Sequence, residues 1–239
     1  MTRRSLRVAR RYVAFALLAE LLLLALGRPS GRVILATGLG SLLFFRDPDR
    51  PPADRADTLY APADGVVTDV ATAVPEPWLD AAEATRISTF LSLHNVHVTR
   101  SPVAGEVAMA ERIEGGLRPA FLRASEENRR TRLAIDGKGG RVVLVQIAGM
   151  VARRITPWVG LRSHVEAGER VALIHFGSRA DVLVPAERVE VLVRRGDRVR
   201  AGVSPIARYH TNEEESAVDG GRGDALVGSA TGRSPEEGT

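Results

Sequence analysis

The chain has no cysteine. Disulfides, thiolate nucleophiles and cysteine-ligated metal sites are thereby excluded. Lysine is almost as scarce: Lys138 is the only one, and every other basic side chain is arginine or histidine. An enzyme that tethers pyridoxal phosphate or another group through a lysine would have one position for it. Aromatic residues make up 5% of the chain, and no basic stripe interleaves with them. That argues against single-stranded nucleic acid as a partner. Apolar runs of comfortable bilayer-crossing length are also missing. The two N-terminal runs, residues 12–27 and 33–45, would reach about 24 Å and 20 Å as helices, against a bilayer core of about 30 Å.

The 239 residues leave ample length for a core, in one domain or two. Net charge is +4, and arginines crowd the N-terminus beside the apolar runs. A basic segment next to apolar sequence favours an anionic membrane over nucleic acid. Residues 1–45 can be read as a secretory signal, as a buried helix pair, or as a helical hairpin dipping into one leaflet. The hairpin is favoured, because a second apolar run follows the first at once and no small-residue cleavage site appears. Glu20 interrupts the first run and would be costly at mid-bilayer, by about 2 to 4 kcal/mol.

"RDPDRPPADRAD" (46–57) reads as a Pro- and charge-rich linker. Beyond it, short Val-, Ile- and Leu-rich runs are punctuated by Gly, Pro and Asp-Gly turns. "LAIDGKGGRVVLVQI" reads as a hairpin, and "SPVAGEV", "VEAGERVALI" and "VRRGDRVRAGVSPI" share one cadence. The expected fold is mainly β (α+β): a compact barrel or sandwich of sequential hairpins over 58–209, with an N-terminal apolar helical segment. Residues 210–239 lack apolar periodicity and are expected to be disordered.

Five histidines are present: His94, His97, His164, His175 and His210. His164 and His210 read as solvated. His94 and His97 lie in strand-like surroundings, so they should point to opposite faces, which favours one histidine facing a polar site over a metal pair. No metal is expected. Asp64 in "APADGVV" has the ordinary chemistry of a turn, and Gly177–Ser178 alone is an ordinary turn dipeptide. "LYAPADGVV" also suits a cell-wall metallopeptidase, but the His-x-His pair such an enzyme uses is missing. Lys138 in "DGKGG" would suit a lipoyl or biotinyl carrier module, which predicts an acylated lysine and an intact chain.

In combination the motifs say more. "FFRDPDRPP", "APADGVV", "FLSLHNVHVTRSPVAGEV", "PAFLRASEENRR", "QIAGMVARRI" and "FGSRADVLVP" follow one another in this order. The stretch from about 44 to 208 resembles the phosphatidylserine decarboxylases, in their short proenzyme form. The resemblance implies self-cleavage at Gly177–Ser178, with Ser178 becoming a covalent pyruvoyl group, the pyruvate cofactor that takes up the substrate amine. It places the acid at Asp64 and the histidine at His97. It implies conversion of phosphatidylserine to phosphatidylethanolamine and CO2. Triad logic then has His97 take the serine proton and Asp64 orient His97. The partners implied are phosphatidylserine, membrane lipid and the chain's own products, 1–177 and 178–239, held as a heterodimer. The implied location is the cytoplasmic face of the cell membrane, peripheral or monotopic. Because Asp64, His97 and Ser178 all lie downstream, loss of 1–45 is expected to leave self-cleavage intact. Three positions depart from the family's usual residues: Asn95 in place of Asp, His175 in place of Arg, and Arg129 in place of Glu.

Overall fold

The computed structural model describes residues 3–28, 31–51, 55–79, 81, 83–116, 118, 123–149, 154–175 and 178–210. Gly177 and the tail from 211 onward lie outside the described residues.

Two helices come first, α1 (Arg3–Ala25) and α2 (Gly31–Phe44). Alanine and leucine dominate α1, and both are strong helix formers. Gly27 ends it in a left-handed conformation (φ 69°), with its N–H on the Leu24 carbonyl and the Arg28 N–H on the Leu23 carbonyl. This pair of bonds is a Schellman cap, and a side chain at Gly27 would be strained. The helices pack against each other as a hairpin. Phe15, Leu18, Leu21 and Leu22 are exposed on α1, whereas Glu20 is buried. Among the described residues no helix is long and apolar enough to cross a membrane.

The body that follows is mainly β, and every strand pairing in it is antiparallel. The main sheet is an eight-stranded curled half-barrel. Its order along the sheet is β13 (Arg198–Val199), β2 (Gly65–Val74), β3 (Ala84–Leu91), β11 (Ser178–Pro185), β7 (Gly140–Ile147), β6 (Arg130–Gly137), β5 (Gly105–Ile113) and β9 (His164–Val165). The expected hairpin is there: β6 and β7 turn through Lys138 and Gly139, with Gly137 opposite Gly140. A second sheet joins β1 (Thr58–Tyr60), β14 (Pro205–Tyr209) and β12 (Val189–Val191). It closes over the core: Leu59, Val189 and Ile206 pack with Val67, Ile87, Leu144 and Val182.

The third sheet, β4 (Val98–Arg100), β10 (Arg170–Ile174) and β8 (Ile155–Pro157), carries the helical hairpin. Ala9, Phe44 and Phe45 pack on Val96, Val98 and Leu173, with Tyr12 and Trp158 at the margin. The stretch after α2, expected as a linker, is pinned to the body in its first residues. Asp47 is buried and paired with Arg170 at 2.8 Å and Arg100 at 3.7 Å. Arg100 also donates to the carbonyl of Pro48 at 3.0 Å.

Candidate active site

Ser178 opens β11. It sits opposite Leu91, and two residues on Ala180 sits between Thr89 of β3 and Gln146 of β7. Side chains alternate across a sheet. Ser178 therefore shares a face with Ala180, Leu91, Thr89 and Gln146, and that face carries the main core lower down through Val182, Ile87 and Leu144. Ser178 is fully buried, and its Oγ has no hydrogen-bond partner among the described residues. The same is true of Thr89 Oγ1 and Gln146 Oε1. Gln146 commits its amide nitrogen to Thr99 Oγ1, at 2.7 Å. An unsatisfied buried polar group costs about 1 to 3 kcal/mol. Three of them gather at one end of one face, which makes that end the polar part of an otherwise apolar surface.

His97 lies just before β4. Residues 92–95 form a turn there, closed by the Asn95 N–H on the Ser92 carbonyl at 2.9 Å. It exposes His94 and buries His97. The His97 Nδ1–H donates to the Asn95 carbonyl at 2.9 Å. A carbonyl can only accept, so this bond fixes the neutral tautomer whose lone pair is on Nε2. Burial holds the ring at about 4, well below the usual histidine range. The Arg46 cation adds to that, against the opposing pull of the Asn95 carbonyl and the Asp64 carboxylate. Phe44 of α2 covers the ring, centroid to centroid 4.3 Å.

Asp64 is arranged differently from the triad expectation. Its two oxygens take the Ala201 N–H at 2.8 Å and the Arg50 guanidinium at 2.7 Å. With both oxygens engaged, the bond that orients His97 comes from Asn95, and Asp64 reaches His97 through its field. The adjacent Gly65 is required sterically: a Cβ there would collide with the Phe90 carbonyl. The loop's Ala63 packs with Leu91 and Ala180, which sets Asp64 beside the start of β11.

The opposite face of β11 explains Arg179. Its guanidinium grips Asp181 with two bonds of 2.7 Å, both side chains being buried. It also reaches Glu126 at 3.5 Å; Glu126 takes Arg86 of β3 at 2.7 Å, and Arg86 takes Asp69 of β2 at 3.3 Å. This ladder of charges clamps the strand that carries Ser178. Arg129, by contrast, pairs with Glu114. Asn95 closes the turn beneath His97, its Oδ1 accepting the Ser92 N–H at 3.0 Å.

His175 is buried just after β10. Tyr12 Oη lies 2.9 Å from its Nδ1 and Thr156 Oγ1 lies 3.1 Å from its Nε2. Burial pushes it down to about 4, helped by Arg154 and His97. The helical hairpin thus touches both buried histidines. Sequence reading treated 1–45 as separable from the proton relay, and contacts between residues this far apart leave no local trace. It also missed Gln146, which had a signal: a single amide inside the apolar run "VVLVQI".

The class defined by this fold and site is a small antiparallel β protein with a buried serine at the start of a central strand and a buried, neutral histidine nearby in the fold. Comparison with known proteins narrows it. The family model for phosphatidylserine decarboxylase matches residues 41–207. A phosphatidylserine decarboxylase proenzyme of Streptomyces griseus is 44% identical over 191 residues, covering 77% of this chain and 84% of that protein. One from Gluconobacter oxydans is 46% identical over 171 residues, covering 70% and 76%, and one from Thermobifida fusca is 43% identical over 178 residues, covering 73% and 76%. The chain belongs to the phosphatidylserine decarboxylase family, and it is a carboxy-lyase.

Proposed function

We propose that the chain is a proenzyme that cuts its own Gly177–Ser178 bond, converts Ser178 to a pyruvoyl group, and then decarboxylates phosphatidylserine to phosphatidylethanolamine. The observation that carries this reading is the buried, unpartnered Ser178 Oγ at the start of β11. In the cut, His97 Nε2 accepts the Ser178 Oγ proton. The oxygen attacks the Gly177 carbonyl carbon, the C–N bond breaks, and the amine takes up a proton, which leaves an ester. Loss of the Ser178 α-proton then expels Gly177 as a carboxylate. The resulting dehydroalanine takes up one water and releases ammonia. Asp64 favours the transient positive charge on His97 through its field.

The site suits the group so formed. Thr89 Oγ1 and Gln146 Oε1, both without a partner among the described residues, share Ser178's face: the hydroxyl can donate to a carbonyl there, the amide oxygen can accept from a substrate amine, and burial keeps bulk water away. A pyruvoyl carbonyl supplies an electron sink for loss of CO2 from an amine-bearing substrate. Within that step, His97 moves a proton at its Nε2. The exposed leucines and Phe15 of α1 fit peripheral attachment to a lipid surface, where the substrate resides.

Denaturing mass spectrometry of purified protein tests the reading. Fragments 1–177 and 178–239 are expected, the second with a keto-acyl N-terminus that resists Edman sequencing. A single intact chain in an active preparation would overturn it.

A further inference from the structure

His175 stands two residues before Gly177 and is held through its backbone N–H and both ring nitrogens. Its backbone N–H donates to the Arg154 carbonyl at 2.9 Å. Its ring nitrogens meet two hydroxyls, Tyr12 Oη at 2.9 Å and Thr156 Oγ1 at 3.1 Å. A hydroxyl can donate or accept, so a neutral ring is satisfied at both nitrogens whichever one carries the proton. The Phe45 ring stands edge-on to the imidazole, with centroids 5.9 Å apart, and Tyr12 packs on Phe45 at 5.0 Å. Thr156 belongs to the body, whereas Tyr12 and Phe45 belong to the N-terminal helical segment. One side of the clamp therefore exists only when the hairpin is seated.

Attack by a serine on its own preceding carbonyl depends on near-attack geometry, and a displacement of about 1 Å can cost about a hundredfold in rate. The chain entering the 177–178 bond must be held for that reason, and His175 is the last described residue on its upstream side. We propose that Tyr12 is a positioning residue for self-cleavage: by holding the His175 ring it fixes the chain that enters the Gly177–Ser178 bond, so the seating of the helical hairpin sets the cleavage rate. The inference rests on self-cleavage at 177–178, and its test separates the two. If the parent chain never yields 178–239, the proposed function fails. If the parent cleaves, the following variants judge Tyr12 alone.

The experiment follows appearance of fragment 178–239 by mass spectrometry in freshly synthesised full-length chain, in detergent micelles. Tyr12→Phe keeps the ring and removes only the hydroxyl. Loss of one hydrogen bond should slow cleavage about fivefold. On a His175→Gln background the same change should add less than about twofold, because both act through one contact. In an uncleavable Ser178→Ala chain, Tyr12→Phe should shift the His175 Nδ1 resonance in 15N spectra while the chain stays folded, its melting temperature lowered by only a few degrees. Cleavage of Tyr12→Phe at the parent rate would overturn the proposal. So would equal slowing with and without His175, since Tyr12 would then act by packing. An unmoved His175 resonance would overturn it as well, and that reading stays available if the His175→Gln chain does not fold.

Discussion

Lowering the pH from about 7.5 to about 5 should cost this fold about 4 kcal/mol, through His97 and His175. In an unfolded chain an imidazole titrates near 6.5; in the folded chain both of these titrate at about 4, because burial disfavours the charged form. Between those values the unfolded chain binds protons that the folded chain does not. The stability contributed by the two neutral rings is therefore whole above the unfolded value, declines as pH falls through 6.5, and is fully lost below about 4. At about pH 5 the loss is about 2 kcal/mol per ring, from 1.36 kcal/mol per pH unit. The carboxylates work in another window. Asp49 and Asp136 are held below the usual value of 3.8 by Arg170 and Arg141, so their contribution is lost only at lower pH. Asp181, pushed up by burial, acts in the opposite sense, but it is common to parent and variants and drops out of their comparison. The assay is urea unfolding of a Ser178→Ala chain, which stays in one piece, across this pH range in detergent. His97→Gln and His175→Gln should each remove about half of the acid loss. If both variants lose as much stability as the parent, the rings are not neutral in the folded protein and the tautomer argument for His97 fails with them.

Three further outcomes follow from the site. His97→Ala should leave mainly uncut chain in mass spectra, since Ser178 loses its proton acceptor, while Asp64→Asn should slow cutting less severely; cutting of both at the parent rate would remove His97 and Asp64 from the mechanism. Arg179→Met strands the buried Asp181 and should lower unfolding stability by about 3 to 5 kcal/mol, read by urea titration, whereas a loss below about 1 kcal/mol would show that the clamp on β11 is not what holds that strand. Deletion of 1–45 strips Phe44 from His97 and Tyr12 from His175, so it should slow cutting as well as turnover of vesicle substrate; unchanged cutting would return the hairpin to the role of anchor alone.

Local patterns carried the fold a long way. The Gly-rich turn around Lys138 between two apolar runs was readable as a hairpin, and the Val- and Leu-rich "RVALI" and "DVLVP" runs were readable as strands. The sheet order was not, because β11 finds its neighbours β3 and β7 across 91 and 147, far from it in the chain. The site divides in the same way. The Gly-Ser pair, Asp64 and His97 stood in recognisable motifs. The partners of Asp64 did not: Arg50 lies in the stretch read as a linker, Ala201 lies 137 residues beyond Asp64, and no motif links either to it. His94 and His97 were expected on opposite faces of a strand, and the turn at 92–95 separates them by exposure instead.

The position of the proposed cut makes mechanical sense of the sheets. Ile174 is fixed opposite Ile155 in the small sheet, and Ser178 is fixed opposite Leu91 in the large one. The chain between them is the only covalent passage from β10 to β11, and the hydrogen bonds on each side belong to different ladders. Breaking it leaves the ladders up to Ile174 and from Arg179 onward in place. The downstream piece enters as β11, in the middle of the main sheet, and continues through β13 against β2 and β14 against β1. Each of these pairings joins residues before 178 to residues after it. A protein that cuts itself must keep its core through the cut. It can do so here because the large and small products share the sheet and the apolar cluster of Leu59, Ile87, Leu144, Val182 and Ile206. Ser178 lies on the large-sheet side of the proposed cut, and the His175 ring gripped from the N-terminal helix lies on the small-sheet side.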